Sequence, residues 1–144
     1  MMDVAELPFN QFVGILKCPE HVEGIFCLPA GPQYLNHLGT VHASALFTLA
    51  EASSGQFLAH QLKVIASSIV PVLRRGEIKY RKPATGRIYS RGRFVSDHWD
   101  QFHDTYERKR RALIAFVIEI LDQEDVVVAQ GSYEWFVMER PQEG

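Results

Sequence analysis

The chain has 144 residues, of which 47% are hydrophobic and 22% are charged, so it holds enough apolar material for one domain with its own core. Its formal net charge of −2 argues against a protein whose whole surface binds nucleic acid or an anionic membrane. The two cysteines, Cys18 and Cys27, form neither a CxxC metal motif nor a dense disulfide framework, and we interpret them as reduced thiols.

The first forty residues predict a short helix and a short strand. Apolar residues at helical spacing indicate a helix from Pro8 to Leu16, and the stretch from Glu23 to Gly31 is typical of a strand that ends at proline and glycine. Acidic residues precede the first apolar run, and no uncharged apolar stretch reaches about 18 residues. We therefore expect a cytoplasmic protein with no secretory signal and no contact with a membrane.

One long helix is predicted from about His42 to about Gln61, a stretch rich in alanine and leucine and free of proline. Alternating segments after it predict four strands, over 71–84, 86–97, 112–123 and 125–139. Turn residues around 83–86 and around 122–125 predict that these strands form two hairpins.

A helix that is apolar on nearly all sides has to be covered by the elements around it. We therefore expect a single α+β domain over 1–144, in which an antiparallel sheet of five or so strands wraps around the one long central helix. One face of such a sheet has no cover within the chain, and this favours self-association.

Glu51 is an acidic residue in the middle of the predicted long helix. Helical geometry places Ser44, Thr48 and Gly55 beside it, so its carboxylate lies in a stripe of small and polar side chains. A solvated helix face is the simpler interpretation, although such faces usually carry several charged residues. The alternative is a partly dry slot with room for a ligand, where a carboxylate with a raised pKa suits a general base or a nucleophile.

The segment 36–42, Asn-His-Leu-Gly-Thr-Val-His, leads into this helix. Gly39 permits a tight turn or a positive φ, and Thr40 is a candidate N-cap. The first N–H groups of the helix, near Ala43 and Ser44, have no acceptor within the helix and lie at the positive end of its dipole. They can hold a carbonyl oxygen that gains negative charge, as acyl transfer requires.

Asn36 and His42 have simple explanations when each is taken alone, as a turn residue and as a hydrogen bond at the helix start. Together with Gly39 and Glu51, however, they resemble the hotdog-fold acyl-CoA thioesterases, specifically the branch similar to 4-hydroxybenzoyl-CoA and phenylacetic-acid-pathway thioesterases. That branch carries Asn, two residues, Gly, two residues, then His-Gly-Gly and an acid nine positions after the His. This chain departs from it at His42-Ala43-Ser44, where side chains narrow the approach of the acyl group.

The resemblance implies a hotdog fold that hydrolyses an acyl-CoA thioester, with no cofactor beyond the coenzyme A of the substrate. Glu51 would be the nucleophile or the general base that activates water. Asn36 would position the water or the thioester, and the Ala43 N–H would polarise its carbonyl, with Gly39 and His42 completing the catalytic set. The family usually shares this site between two chains, which implies a homodimer or a dimer of dimers.

Substrate contacts are predicted in two places. Ser44 and Thr48 lie beside Glu51 on the helix and are candidates for contact with the acyl group. Twelve of the fifteen basic residues fall within 74–111, and we select Arg81, Lys82 and Arg87 as candidates for the phosphates of coenzyme A. A solvated sheet face is the simpler interpretation of these basic residues.

The segment 97–104 is rich in potential metal ligands, but no helical or strand spacing collects Asp97, His98, Asp100, His103 and Asp104 at one point. We expect no metal site there, and a long exposed connection or a short helix instead. Two other functions stay open. One is an acyl-CoA or lipid-binding hotdog module without turnover, and the other is a hotdog dehydratase or hydratase, whose motif spacing we do not find.

Overall fold

A computed structural model describes residues 3–95 and 97–143. The predicted domain over 1–144 is assessed within these ranges. The predicted strand over 86–97 includes Ser96, which lies outside the described residues. The predicted order of a short helix, one strand, one long helix and four strands is present, with a further short strand before the long helix and a further helix between the second and third of the four strands. The bounds of these elements are α1 (Pro8–Val13), β1 (Leu16–Lys17), β2 (Phe26–Leu28), α2 (Ala43–Gln61), β3 (Ile69–Tyr80), β4 (Ile88–Phe94), α3 (His98–Lys109), β5 (Arg111–Leu121) and β6 (Val127–Glu139).

The strands of the described residues form one antiparallel sheet in the order β1-β2-β4-β5-β6-β3. This sheet curls around α2, whose buried side chains point to several sides of the helix: Leu46, Leu49, Ala50, Ala52, Ser53, Ser54 and Leu58. The predicted α+β architecture of an antiparallel sheet around one long helix is confirmed. The sheet has six strands because the two-residue β1 adds to β2.

The hairpin predicted between the strands on either side of 83–86 is wrong. β3 pairs with β6, from Ile69 opposite Glu139 to Tyr80 opposite Ala129, while β4 pairs with β2 and β5. The burial of the two strands explains the difference. β4 begins with three buried residues and lies inside the sheet, whereas β3 is mostly exposed and carries charged side chains, which suits a sheet edge.

The second predicted hairpin is confirmed, since β5 and β6 pair along nearly their whole length. Asp125 adopts a positive φ of 62° at the turn, and its N–H donates to the carbonyl oxygen of Asp122 at 3.0 Å. The first helix is shorter than predicted because Gly14, in the left-handed conformation, ends it after Val13.

The segment before β5 is the helix α3, so the prediction of a short helix is confirmed over that of an exposed connection. Phe102 and Tyr106, one helical turn apart, are buried in a cluster with Leu58 and Phe116. Within 3–95 and 97–143, no three His, Cys, Asp or Glu side chains converge as metal ligands would. None of the helices described is long and apolar enough to cross a membrane.

Candidate active site

The N-terminus of α2 carries one unused backbone donor. His42 is the N-cap, and its Nδ1 accepts a hydrogen bond from the Ser44 N–H at 3.0 Å. The candidate cap, Thr40, is therefore wrong, and the simpler interpretation of His42 as a helix-start hydrogen bond is what the structure shows. The Ala43 N–H donates to no acceptor among the described residues, so it is the donor left at the positive end of the helix.

The loop before the helix is held by the Asn36 side chain. Its Oδ1 accepts from the N–H groups of Leu38 at 2.9 Å and Thr40 at 3.1 Å, and its Nδ2 donates to Thr40 Oγ1 at 2.9 Å. Gly39 has the predicted positive φ, at 74°. Asn36 is thus a turn residue in this chain, and its amide shapes the loop that ends at the helix start.

An open pocket of about 240 Å³ lies at this junction and brings together Asn36, Ala43, Tyr80, Arg81 and Lys82. The Tyr80 hydroxyl donates to the carbonyl oxygen of Ala43 at 3.2 Å, which links the end of β3 to the first residue of α2. Arg81 donates to Gln130 Oε1 at 2.9 Å, and both basic side chains are exposed. Two of the three predicted phosphate contacts therefore lie beside the unused Ala43 donor.

Arg87, the third predicted phosphate contact, lies elsewhere. Its charge acts on the thiols of Cys18 and Cys27, and its Nε is buried without a hydrogen-bond partner in the described part of the chain. The predicted grouping with Arg81 and Lys82 fails because β4 does not pair with β3.

Glu51 lies two helical turns beyond Ala43 and is half-buried. Burial raises the pKa of its carboxyl above the usual range, and no hydrogen bond or ion pair engages that carboxylate within 3–95 and 97–143. Of its predicted neighbours, Ser44 is exposed and Thr48 donates to the Ser44 carbonyl at 2.8 Å. Gly55 lies against the Trp135 ring, so the stripe runs from an exposed end at Ser44 to a partly covered end at Gly55.

Tyr133 lies near Glu51 in the structure, and the sequence analysis did not identify it as a site residue. It is 0% exposed, and its hydroxyl has no hydrogen-bond partner among the described residues. The ring lies edge-on to Phe47 at 5.9 Å, in space that the absent side chains of Gly76 and Gly131 leave open. Burial raises the pKa of Tyr133 most, and the charge of Glu51 raises it further, so the hydroxyl lies within the field of that carboxylate.

No spacing motif identifies Tyr133, because an inward tyrosine in a strand is usually core. The available signal is the pair of glycines that flank its ring, one on the same strand and one opposite it on β3. Glycines in a strand mark a close approach, and here the approaching group is an aromatic ring.

Comparisons with known proteins agree with this fold. The family model described as a domain of unknown function, DUF4442, matches residues 19–137. No curated protein matches the chain in sequence.

Solved structures give matches over nearly the whole chain. A Pseudomonas aeruginosa protein of unknown function, called a probable thioesterase, is 22% identical with a TM-score of 0.75, covering 95% of this chain and 91% of that one. A Staphylococcus aureus thioesterase variant is 12% identical with a TM-score of 0.68, covering 94% and 100%. A Bacillus halodurans protein solved with CoA is 24% identical with a TM-score of 0.62, covering 78% and 70%. The predicted hotdog fold is confirmed.

Proposed function

The chain belongs to the family described as a domain of unknown function, DUF4442, and we propose that it hydrolyses an acyl-CoA thioester to the free acid and coenzyme A. The observation that carries this proposal is an unpaired, half-buried carboxylate, Glu51, on the same helix whose N-terminus offers an unused N–H, at Ala43. Thioester hydrolysis needs one group of each kind, a base or nucleophile and an oxyanion donor.

Ala43 supplies the electrophilic side of this reaction. Its N–H points out of the first turn of a 19-residue helix, where the backbone dipoles sum to a partial positive charge. A thioester carbonyl oxygen that accepts this N–H gains stabilisation as it becomes an oxyanion. Lys82 and Arg81, in the same pocket, suit the phosphates of coenzyme A, and a CoA-containing relative of the same fold supports that class of ligand.

Glu51 supplies the nucleophilic side. Either its carboxylate takes a proton from water as the water oxygen attacks the carbonyl carbon, or the carboxylate attacks that carbon itself and water later cleaves the anhydride. In both routes the C–S bond breaks and the coenzyme A thiolate leaves and takes a proton. Burial strengthens the carboxylate as a base because it raises the pKa of Glu51.

Two copies of the chain are needed to complete this site. Eight residues of α-helix separate Ala43 from Glu51 by about 12 Å along the axis, too far for both to act on one thioester. β3 is an exposed twelve-residue edge strand whose middle, at Gly76, lies against Phe47 of α2. Pairing of two β3 edges about a two-fold axis would run the two α2 helices in opposite directions, with Ala43 of one copy beside Glu51 of the other.

The test measures free thiol release from a panel of short, branched, aromatic and long acyl-CoAs. Glu51→Gln should lower kcat by about 1,000-fold or more, since a catalytic carboxylate of either kind is lost. Glu107→Gln, on the exposed face of α3, removes the same charge and is the matched control. A folded Glu51→Gln protein that hydrolyses its best substrate at the unaltered rate would overturn the proposal.

A single turnover in oxygen-labelled water separates the two routes. In the nucleophilic route, water that cleaves the anhydride at the Glu51 carbonyl carbon leaves the label in the Glu51 carboxylate, so label in Glu51 identifies that route. A general base sends the label into the released acid alone. Sedimentation analysis then tests the shared site, since a monomer that hydrolyses acyl-CoA would contradict it.

A binding module without turnover is the second candidate. The side chains of Ala43 and Ser44, in place of the glycines typical of related enzymes, narrow the entrance and favour it. Calorimetric binding of acyl-CoA with no thiol release would support this candidate. The double variant Ala43→Gly and Ser44→Gly should then widen the range of acyl groups that bind.

A further inference from the structure

We propose that Cys18 and Cys27 form a peroxide-reactive thiol pair that converts to an intramolecular disulfide, with Arg87 holding the reactive thiolate. The two sulfurs lie 2.8 Å apart and both cysteines are free. The pair shares no residue with the Glu51 site, so the inference is independent of the proposed hydrolysis.

The position of Arg87 is the main argument. Its Nε is buried and has no hydrogen-bond acceptor among the described residues, which is costly for a cation unless an anion lies close. Arg87 acts electrostatically on both sulfurs and favours their charged form. A thiolate on the pair is the counter-charge that this guanidinium lacks.

The contact between the sulfurs makes that thiolate a stable one. When one proton leaves the pair, the remaining S–H donates to the sulfur that has ionised, so the pKa of Cys27 is lowered and the pKa of Cys18 is raised. Because the sulfurs are in contact, the remaining proton moves between them. The charge rests mainly on Cys27, which is 3% exposed, and transfer of the proton from Cys18 to Cys27 brings the charge to Cys18, which is half-buried and the more accessible of the two.

The backbone around the pair fixes it in place. β1 pairs with β2 through Leu16 opposite Cys27, and a side chain at Gly24 would collide with the Cys18 sulfur at 2.9 Å. A disulfide bond requires the sulfurs to approach by less than about 1 Å. The two strands therefore already hold the sulfurs close to bonding distance.

The chemistry balances with hydrogen peroxide as the oxidant. The Cys18 thiolate attacks one peroxide oxygen, the O–O bond breaks, and the hydroxide that leaves takes the Cys27 proton to become water. The Cys27 thiolate attacks the sulfur of the Cys18 sulfenic acid, the S–S bond forms, and a second hydroxide leaves and takes a proton from solvent. Two thiols are oxidised and one peroxide is reduced to two waters.

The test treats the reduced, folded chain with hydrogen peroxide, blocks remaining thiols with an alkylating reagent, and measures intact mass and peptide maps. Since the chain has only two cysteines, the expected product has lost two hydrogens, carries no alkyl group and yields one Cys18–Cys27 peptide. In Cys27→Ser, the sulfenic acid has no partner, and dimedone should label Cys18. Two fully alkylated thiols after peroxide treatment, or links only between chains, would overturn the proposal.

The role of Arg87 is tested by the rate of disulfide formation. Arg87→Gln should slow it about tenfold, because the thiolate fraction falls when the charge is removed. Arg87→Lys keeps the charge and should keep most of the rate of disulfide formation. This variant therefore separates the effect of the charge from any loss of stability in the glutamine variant. Arg75→Gln, an exposed arginine on β3, is the matched control. Equal rates in all four proteins would show that Arg87 holds no thiolate.

Discussion

The two halves of α2 differ in how far their polar groups are hydrogen-bonded. In the C-terminal half, Ser53 and Ser54 are 0% exposed and fully bonded. Ser53 Oγ lies 2.6 Å from both the Leu49 carbonyl oxygen and Ser90 Oγ, and Ser54 Oγ accepts from Trp135 Nε1 at 3.1 Å. These groups are used to attach the helix to β4 and β6.

The N-terminal half leaves two of its polar groups without a partner among the described residues. The Ala43 N–H and the Glu51 carboxylate have no partner within 3–95 and 97–143, and the Tyr133 hydroxyl opposite them is also unpaired. Buried polar groups are normally satisfied, so the buried Tyr133 hydroxyl and the half-buried Glu51 carboxylate are exceptions, whereas the exposed Ala43 N–H is open to water. One helix thus combines a half that is anchored by side-chain hydrogen bonds with a half that carries the proposed catalytic groups.

Ala43→Pro removes the unused N–H donor from the N-terminal half of α2, and we expect it to have the largest effect on hydrolysis after that of Glu51→Gln. Proline is well tolerated at the first helical position, and His42 already has the extended φ of −62° and ψ of 139° that precede proline. The variant should fold normally but lose the oxyanion donor, which lowers kcat by about 100-fold or more. Ala43→Val keeps the N–H while adding bulk and serves as the control, and an unchanged kcat in the proline variant would remove Ala43 from the mechanism.

Leu58→Ala should weaken the packing of the C-terminal half of α2. Leu58 is 1% exposed among Phe102, Ile114 and Phe116, so truncation leaves a cavity that costs about 3 kcal/mol and lowers Tm by about 10 °C. The hydrolysis rate per folded molecule should stay unchanged at low temperature. Loss of kcat in step with the loss of Tm would show that the two halves are not separable.

Ser53→Ala and Ser44→Ala compare the halves with the same substitution. Removing the buried Ser53 hydroxyl breaks its contacts with Leu49 and Ser90 and should cost about 1–2 kcal/mol of unfolding free energy. Removing the exposed Ser44 hydroxyl should change stability by less than about 0.5 kcal/mol. Denaturant titration measures both, and equal costs would contradict the distinction between the halves.

The pH dependence of Tm sharpens the comparison further. The folded chain raises the pKa of Glu51 above its ordinary value of 4.5, so the folded state binds this proton more tightly than the unfolded state. The carboxylate therefore destabilises the fold above the raised pKa and does not do so below the ordinary value. Glu51→Gln should have a higher Tm than the parent at pH 8, with a gap that closes towards pH 4. A gap that is constant with pH would mean that Glu51 is not desolvated.

The long helix could be predicted from the sequence because it depends on local rules, whereas the catalytic roles rest on the family resemblance and stay predictions. The start and end of α2 follow from composition, and the position of Glu51 follows from helical periodicity. The short-range turn signal at 122–125 likewise predicted the hairpin it forms. A similar turn signal at 83–86 failed, because strand pairing is decided by which strands bury their side chains, and that competition involves the whole sheet.

Arg87 and Tyr133 were placed wrongly or missed because of contacts between distant parts of the chain, and Thr40 because of a local one. Arg87 is five positions from Lys82 in the sequence, but the chain crosses the end of the sheet between them. Tyr133 is 82 positions from Glu51 and reaches it only once β6 lies against α2. Thr40 lost the capping position to His42 because Asn36 takes the Thr40 groups, a local competition that residue preferences alone do not resolve.

The pairing of β3 with β6 also sets the point during synthesis at which the sheet can finish folding. Ile69 finds its partner at Glu139, so the edge strand stays single until the last strand has been synthesised. During synthesis, α2 leaves the ribosome with most of its apolar surface uncovered, and no local hairpin protects it. A chain that stops before Val127 should therefore aggregate rather than fold in part. The thirteen-residue strand β6 is thus required for the first half of the molecule to fold.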